Sequence, residues 1–309
     1  MVTLECLDAL DHLIWLRTGA RAAEALGCNQ STISRYATRC QQVFAVKLKR
    51  HAAEWVVTGD LELLAAERRL HQLYRWEMDL PLRFEAQHWM RDLYATWQPA
   101  DWRKGNLNYL EYQRPVDLLR DRIIDAWLCG APDLPDDPDL TCVPLFEIPM
   151  LLAAHQDHPL LRQQSPLTLA DVAAYPLLPL PQGAFPVFEA RLRELGLGSP
   201  AGGTPPQQTS GPENTSLSFA ELCLGVASAL TLPLYGPEYR SLPMEIPLHF
   251  GDVLVIHADF AGHPRSRALI DSLQAHLREA TAHIAELRLL GEGGLNAVRT
   301  ATSATEMPN

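Results

Sequence analysis

Residues 22–40 constrain the fold of this chain more than any other segment, because they contain two short helical patterns joined by a tight turn. The first pattern is an alanine-rich run that ends at Gly27, a residue type that readily adopts the left-handed conformation needed at a sharp turn. In the second pattern Ile33, Ala37 and Cys40 recur at the spacing of a helix face that packs on a core. The segment therefore predicts a helix-turn-helix.

The other face of the second helix is polar and carries Gln30, Ser31, Ser34, Arg35, Thr38 and Arg39. Glutamine can pair bidentately with adenine and arginine with guanine, whereas serine and threonine can bind bases or phosphate oxygens. This face suits the major groove of DNA. An ordinary helical hairpin with a solvated polar face is an equally good interpretation of the segment taken alone, since short patterns of this kind recur by chance.

The flanking sequence favours the DNA-reading interpretation. Residues 3–16 form an apolar helical pattern that could pack behind the pair, and FAVKLKRHAAEWVVTGD predicts a basic hairpin. Helices followed by a hairpin are the order of a winged helix. We predict that Gln30, Ser34 and Arg35 read bases, while Ser31, Arg39, Lys47 and Arg50 mainly hold phosphates. The predicted DNA-binding set is Gln30, Ser31, Thr32, Ser34, Arg35, Arg39, Lys47 and Arg50.

The charge is distributed unevenly. The chain has a formal net charge of −11, which argues against nonspecific coating of nucleic acid. Residues 1–58 contain seven basic and five acidic side chains, so this part carries about +2 and the rest about −13. A modestly basic reader on an acidic body fits, and a dimer would double the phosphate contacts.

Residues 59–78 form a long helix pattern in which Leu63, Ala66, Leu70 and Leu73 repeat at three-four spacing. This spacing is typical of a coiled-coil seam. A helix packed within one chain is the alternative, but DNA half-sites call for a dimer.

The chain changes character at Pro81. Short apolar strands alternate with helices from there to about residue 263, and these include a helix at 89–97, a strand at 107–112 and a strand at 229–235. Such alternation predicts an α/β fold with mainly parallel sheets.

Several blocks in this order resemble LysR-type transcriptional regulators. The block AAEALGCNQSTISR resembles the family's helix-turn-helix, and DHPLLRQQSPLTLADVAAYPLLPLPQG and ELCLGVASALTLPLYGPEY resemble two blocks of its effector domain. The likeness covers the chain to about Leu290. It departs from the family at Asn29 in place of serine, at Ala45 in place of a glycine before the wing, and at Glu54 in the wing.

The resemblance implies an α+β multidomain chain. Its domains are a winged helix-turn-helix at 1–58, a linker and dimerisation helix at 59–80, and a two-lobed effector domain at 81–290 of type 2 periplasmic-binding-protein kind. The first lobe would comprise about 81–149 and 263–290, and the second about 150–262. Residues 291–309 are predicted to be a disordered tail.

The resemblance also implies a small-molecule effector bound between the lobes, because ligands of open α/β sheets bind beyond the carboxyl ends of strands. The positions expected to face it are Gln87, His88, Gln113, Arg114, Pro181, Gln182 and Thr231. Many family members have serine or threonine after the first strand, whereas this chain has Gln87 and His88, so a carboxylate effector does not follow.

No catalytic motif, metal-ligand spacing or cofactor loop is present in the sequence, so we expect no enzyme, no metal and no cofactor. His155, Asp157 and His158 are interpreted as a turn. The six cysteines have no CxxC pairs; Cys28 and Cys40 flank the proposed reading helix, which leaves redox sensing as a minor alternative.

The sequence shows neither a targeting segment nor an apolar run of about 20 residues, so we expect a cytoplasmic protein. We interpret it as a homodimeric or homotetrameric regulator of double-stranded DNA whose oligomer arrangement shifts with ligand. The alternative is a small-ligand sensor whose helix-turn-helix no longer reads DNA, and an enzyme on the two-lobed fold comes third.

Overall fold

The computed structural model of the protein describes residues 2–198 and 218–290. The predicted tail at 291–309 and the whole of the Gly-, Pro- and Gln-rich segment 199–215, whose composition indicates a loop, lie outside the described residues. The chain forms two compact units. The first comprises Met1–Leu128, Pro135–Thr141 and Val255–Ser272, and the second comprises the remaining segments. The first unit therefore joins the N-terminal residues to part of the predicted effector domain, a grouping that differs from the predicted domain boundaries.

The N-terminal part has the predicted winged order of three helices and a hairpin. The elements are α1 (Leu4–Leu16), α2 (Gly19–Ala25), α3 (Gln30–Val43), β1 (Lys47–His51) and β2 (Glu54–Thr58). The α1 helix packs against α2 and α3, and it supplies Leu10, Ile14 and Trp15 to the core. The two strands pair antiparallel, with Lys47 opposite Thr58. We call residues 2–58 the reader domain.

The helix α4 (Glu62–Glu77) follows the reader domain, as predicted. Trp76, near its end, is buried and stacks on Phe260 with ring centroids 4.4 Å apart. Arg265 donates to the carbonyl oxygens of Arg75 and Leu80, which secures the end of the helix.

The first unit continues as a small parallel sheet. Its elements are β3 (Leu82–Ala86), β4 (Trp102–Lys104), α5 (Gln113–Arg120) and β5 (Ala126–Ala131). β3 pairs in parallel with both β4 and β5, and all five of its side chains are buried.

Two sequence predictions in this region are wrong. The predicted helix at 89–97 is a 3-10 turn over His88–Met90 followed by irregular turns. Lys104 Nζ donates to the carbonyl oxygens of Tyr94 and Ala95. In a continuing helix these oxygens would accept hydrogen bonds from backbone amides later in the chain. The predicted strand at 107–112 has only one bridge, because Leu107 has a positive φ of 47° that breaks the extended conformation.

The second unit contains short strands and helices. They are β6 (Leu140–Pro144), β7 (Phe146–Pro149), β8 (Leu151–His155), α6 (Leu169–Ala173), α7 (Pro186–Glu194), α8 (Phe219–Leu222), β9 (Gly225–Ala227), β10 (Tyr239–Ser241), β11 (His249–His257), α9 (Pro264–Ala280) and β12 (Arg288–Leu289). Of these, β6, β11 and α9, together with β5, contain unit boundaries. β8 lies between β10 and β9, and β7 pairs with β11 and β12.

These four pairings are antiparallel, so the expectation of mainly parallel sheets holds for the first unit only. The predicted strand at 229–235 is also wrong, because a 3-10 helix occupies Leu232–Tyr235 and the strand lies earlier, at Gly225–Ala227. The ring of Tyr235 packs on this strand at Gly225, where a Cβ would lie 2.4 Å from it, and the Tyr235 hydroxyl donates to the carbonyl oxygen of Val226.

Candidate functional site

The outward face of α3 is polar. Its inward residues Ile33, Ala37 and Cys40 are buried, and the thiol of Cys40 donates to the carbonyl oxygen of Cys6 in α1. The residues of α3 predicted to contact DNA are exposed except Thr32, which is half-buried: Gln30, Ser31, Ser34, Arg35 and Arg39. The helix therefore presents hydrogen-bonding side chains to solvent while its apolar side anchors it to α1.

The turn before α3 sets the position of its first residue. Gly27 has a φ of +61°, as expected for a glycine at a helix end, and Asn29 occupies the N-cap position without a side-chain cap hydrogen bond. Gln30 packs over Gly19 at the start of α2, because a Cβ at Gly19 would lie 2.9 Å from Cγ of Gln30. The side chain of Gln30 is thus held beside α2.

The wing presents its basic side chains to solvent. Lys47 and Arg50 are exposed on β1, and Gln41 of α3 accepts a hydrogen bond from the amide of Leu48 at 2.8 Å. Ala45, which precedes the wing, has a φ of +53°. An alanine therefore holds a left-handed conformation that glycine would adopt at less cost.

Glu54 is neutralised within the protein. Its carboxylate pairs with Arg17 at 2.5 Å and with Arg114 at 3.3 Å. The indole of Trp55 donates to the carbonyl oxygen of Arg17 at 3.0 Å. Glu54, which departs from the family pattern, and the neighbouring Trp55 thus connect the wing to other parts of the same chain.

A buried ion-pair network attaches α1 to the sheet of the first unit. Asp11 accepts from Arg68 Nε at 2.9 Å and from Arg83 Nη1 at 3.4 Å, and Arg83 also pairs with Asp8. Arg68, Arg83 and Asp11 are each at most 3% exposed. We call Asp8, Asp11, Arg68 and Arg83 the clamp, because they join α1, α4 and β3.

The carboxyl of Glu85 forms a second attachment beside the clamp. It accepts from the indole Nε1 of Trp15 at 2.8 Å, from the amide of Leu107 at 2.8 Å and from the amide of Ala86 at 3.0 Å. Gly105 leaves room for this contact, since a Cβ there would lie 2.1 Å from Glu85 Oε2. Burial raises the pKa of Glu85 from 4.5 to about 7, although these three hydrogen bonds lower it.

His12 completes the contact between α1 and the sheet as a neutral imidazole. Burial lowers its pKa well below 6.5, and Arg83 and Arg103 lower it further. Nδ1 lies 2.8 Å from the carbonyl oxygen of Asp8, which can only accept, so Nδ1 carries the proton. Nε2 then accepts from Arg103 at 2.9 Å.

A row of apolar residues on α4 faces solvent. Leu63, Leu70 and Leu73 are 68%, 53% and 46% exposed, and Ala66 is also exposed. The opposite face carries Glu67, Arg68, His71, Gln72 and Arg75, all buried within the first unit. Apart from Leu64 and Trp76, which are also buried, the helix therefore buries polar side chains and exposes a row of apolar ones, the reverse of an ordinary surface helix.

The ligand candidates of the first unit differ in exposure. Gln87 is buried, and its backbone amide donates to the carbonyl oxygen of Leu128 at 3.2 Å. His88 is exposed, whereas its backbone amide is bound to Tyr109. Gln113 is exposed at the start of α5 and donates to Asp117 at 2.8 Å.

Arg114, a predicted ligand residue, lies against the wing. It donates to the Glu54 carboxylate and, at 2.8 Å, to the carbonyl oxygen of Trp55. These contacts use two of the three nitrogens of its guanidinium, so the side chain supports the wing of the reader domain.

The ligand candidates of the second unit are Pro181, Gln182 and Thr231. Pro181 and Gln182 are exposed, and Thr231 is half-buried. The hydroxyl of Thr231 accepts from the amide of Ser228 at 2.9 Å.

The cysteines of the reader domain are single thiols. Cys40 is buried, and burial raises its pKa to about 12, whereas Cys28 is exposed. Burial also raises the pKa of Cys142 to about 11. Because the thiolate is the reactive form, the environments of Cys40 and Cys142 disfavour oxidation.

Within residues 2–198 and 218–290, no cluster of three or more histidine, cysteine, aspartate or glutamate residues is arranged to hold a metal ion. His155, Asp157 and His158 form a turn in which the His158 amide donates to the carbonyl oxygen of His155. Among the same described residues, none of the helices combines the length and apolar character needed to cross a membrane.

Solved structures of similar fold cover most of the chain. A full-length OxyR variant from Pseudomonas aeruginosa is 19% identical over 90% of this chain and 95% of that chain, with a TM-score of 0.54. A probable transcriptional regulator from the same organism is 20% identical over 89% and 97%, with a TM-score of 0.50. At these identities the likeness concerns the fold. No curated protein matches the chain in sequence.

The assignment of the chain to a family rests on its match to a family model. Residues 106–278, more than half of the chain, match the model of the LysR substrate binding domain. The match begins after the winged helix-turn-helix and α4, in the order expected of a regulator with an N-terminal reader. The chain belongs to the LysR family of transcriptional regulators.

Proposed function

We propose that this chain reads a partly palindromic operator in double-stranded DNA through α3 and changes its DNA binding when a small molecule binds the effector domain. The exposed polar face of α3 supports this proposal most directly. Gln30, Ser34 and Arg35 are exposed and can approach base edges, while Ile33 and Ala37 anchor the helix from behind.

The phosphate contacts come from a second set of residues. Ser31, Arg39, Lys47 and Arg50 are exposed on α3 and β1, where they can bind the backbone on either side of the groove. Thr32 is the exception in the predicted set, because its hydroxyl accepts from Arg35 Nη2 at 3.1 Å. We therefore assign Thr32 to positioning the Arg35 side chain.

Two copies of the chain would present two reading helices to two half-sites. The proposed contact between copies is the exposed row of Leu63, Ala66, Leu70 and Leu73 on α4, whose spacing is that of a coiled-coil seam. Burying this row in a homodimer would remove apolar surface from water, and dimers could pair further into tetramers.

For the effector we propose Gln87, His88, Gln113, Pro181, Gln182 and Thr231 as contacts. Apart from Pro181, these residues offer amide, imidazole and hydroxyl groups rather than a fixed positive charge, which favours a small polar ligand over a simple carboxylate. A regulator of DNA acts where the chromosome is, so the proposal includes a cytoplasmic location.

Footprinting on the DNA upstream of the protein's own gene, with scrambled competitor and a salt series, tests the reader. Two protected half-sites about one or more helical turns apart, which survive the competitor, are expected. Binding that scrambled DNA removes equally would instead support the sensor whose helix-turn-helix no longer reads DNA.

Substitutions then assign the roles of individual side chains. Arg35→Ala should cost about 1–3 kcal/mol of binding free energy, concentrated at one base position. Lys47→Ala should weaken binding to all sequences and reduce the salt slope by about 1. Arg91→Ala, an exposed arginine outside the reader domain, is the matched control and should leave binding unchanged.

A further inference from the structure

An arginine-lined cavity lies in the first unit, between the first half of α4 and the end of α5. Its volume is about 340 Å³, within the range of small-molecule sites. It is lined by Leu61, Ala65, Ala66, Arg68, Arg69, Arg120, Asp121 and Arg122. We call it the arginine cleft. Apart from Ala66, which the proposed dimer row shares, none of these residues is assigned a binding role above.

The donors of the cleft exceed the acceptors that the protein provides. Arg68 is 3% exposed; its Nε binds Asp11 at 2.9 Å, but its Nη2 is buried without a hydrogen-bond partner among the described residues. A buried guanidinium nitrogen left unpaired is costly, so a buried position of this kind calls for an acceptor. The distance of 3.6 Å from Arg68 Nη1 to Asp121 is longer than a good hydrogen bond.

Two of the other three arginines, Arg69 and Arg120, keep guanidinium nitrogens with no hydrogen-bond acceptor among the described residues. Arg69 is exposed, and its side chain forms neither an ion pair nor a hydrogen bond with the described part of the chain, although its charge helps to lower the pKa of Asp259. Arg120 binds Asp137 through Nε at 2.6 Å, whereas its Nη1 lies 4.0 Å from the nearer oxygen of Asp117. Arg122 has little capacity to bind a ligand, because its two terminal nitrogens already bind Gln72 and Asp259.

We propose that the arginine cleft binds a small oxyanion, through Arg68, Arg69 and Arg120. Guanidinium groups bind phosphate and carboxylate groups through paired, charge-assisted hydrogen bonds. Leu61, Ala65 and Ala66 supply apolar wall for the organic part of such a ligand. Phosphate esters and organic acids share this chemistry, and the experiment below separates them.

Arg68 connects the cleft to the reader domain. The same guanidinium that would bind the anion also holds Asp11 of α1, which packs against α3. The proposal concerns a binding site and does not require that α3 reads DNA. A change in DNA footprint on addition of the anion would be a further consequence of the Arg68–Asp11 contact.

Calorimetry and thermal unfolding of the full chain without DNA test the site. Inorganic phosphate, sulfate and succinate are titrated at matched ionic strength, with sodium chloride as the control. A saturable heat and a rise in melting temperature with phosphate or sulfate alone would assign tetrahedral oxyanions, and with succinate alone, carboxylates. An identical response to chloride would overturn the proposal.

Two substitutions link the response to the cleft. Arg69→Ala removes an uncommitted charge and should weaken anion binding about ten-fold or more, while Ala65→Phe keeps all charges and should block the space. Arg91→Ala serves again as the exposed-arginine control. Affinity that is unchanged in both Arg69→Ala and Ala65→Phe would overturn the assignment to this cleft, whatever the chain does with DNA.

Discussion

At the residue scale, Glu85 connects the reader domain to the sheet of the first unit, and its contribution to the free energy of unfolding depends on pH. Its carboxyl has three hydrogen-bond donors, Trp15 Nε1 and the amides of Ala86 and Leu107, and lies fully buried on β3. Desolvation outweighs these bonds, which is why its pKa is raised to about 7.

The raised pKa predicts a loss of stability as the pH increases. The folded protein binds the Glu85 proton more tightly than the unfolded chain, so this contribution is fully present below about pH 4.5 and is lost as the pH rises through about 7. The difference in unfolding free energy between the wild type and Glu85→Gln should therefore fall over this range. A pKa that is higher by one in the folded protein corresponds to about 1.4 kcal/mol. Urea unfolding of both proteins at several pH values measures the change.

Glutamine at position 85 is the appropriate comparison because it keeps the size and one carbonyl oxygen for the amides of Ala86 and Leu107. It cannot titrate, so a constant loss of the Trp15 hydrogen bond would shift the difference without changing its slope. A difference that does not vary with pH would mean that the native carboxyl has an ordinary pKa.

At the element scale, α4 has its polar face buried and its apolar face exposed, and the two faces have different partners. Arg75 and Gln72 bind Asp125, and Arg68 binds Asp11, so the polar face is held within one chain. A row of exposed leucines at coiled-coil spacing has no comparable partner in the described part of its own chain, and this arrangement supports a contact between copies.

Leu70→Glu should therefore weaken the homodimer. A carboxylate in the centre of an apolar seam must be desolvated without a partner, and the dissociation constant should rise about ten-fold or more. Sedimentation equilibrium measures the change. Leu234→Glu, which alters a leucine of similar exposure in the second unit, is the control. Equal dimer constants for the wild type and Leu70→Glu would exclude α4 as the contact.

At the scale of the whole molecule, the clamp makes the reader domain part of the first unit rather than an independent module. Asp11 pairs with both Arg68 and Arg83, and all three side chains are buried. Removing the single acid would leave two buried guanidinium groups without this partner, a change that typically costs about 3–5 kcal/mol.

Asp11→Ala should therefore lower the unfolding free energy by that amount and speed hydrogen exchange in α3. Arg162→Ala breaks the exposed pair with Asp157 and should cost less than about 1 kcal/mol. Urea unfolding and hydrogen exchange of the full chain provide the measurements. A loss below about 1 kcal/mol for Asp11→Ala as well would show that the reader domain does not depend on the clamp.

The local patterns of the sequence predicted much of the reader domain. The apolar spacing of Ile33, Ala37 and Cys40 and the glycine at 27 determine which side of α3 is buried and where the turn lies. These features depend on residues close together in the chain. Ala45 shows a limit, because its unusual residue type was visible but its left-handed conformation was not.

The sequence alone determined the family, the winged order and the apolar row of α4, because each depends on the spacing of residues that are close together in the chain. Tertiary structure alone decided the partners of the buried charges: Asp8 and Asp11 lie in an apolar helix, but Arg68 and Arg83 lie far along the chain. Likewise, the contact of Arg114, a predicted ligand residue, with Glu54 of the wing could not be read from the sequence. The physical reason is that a helix face or turn depends on local backbone geometry, whereas the environment of a charge depends on which distant segments exclude water from it.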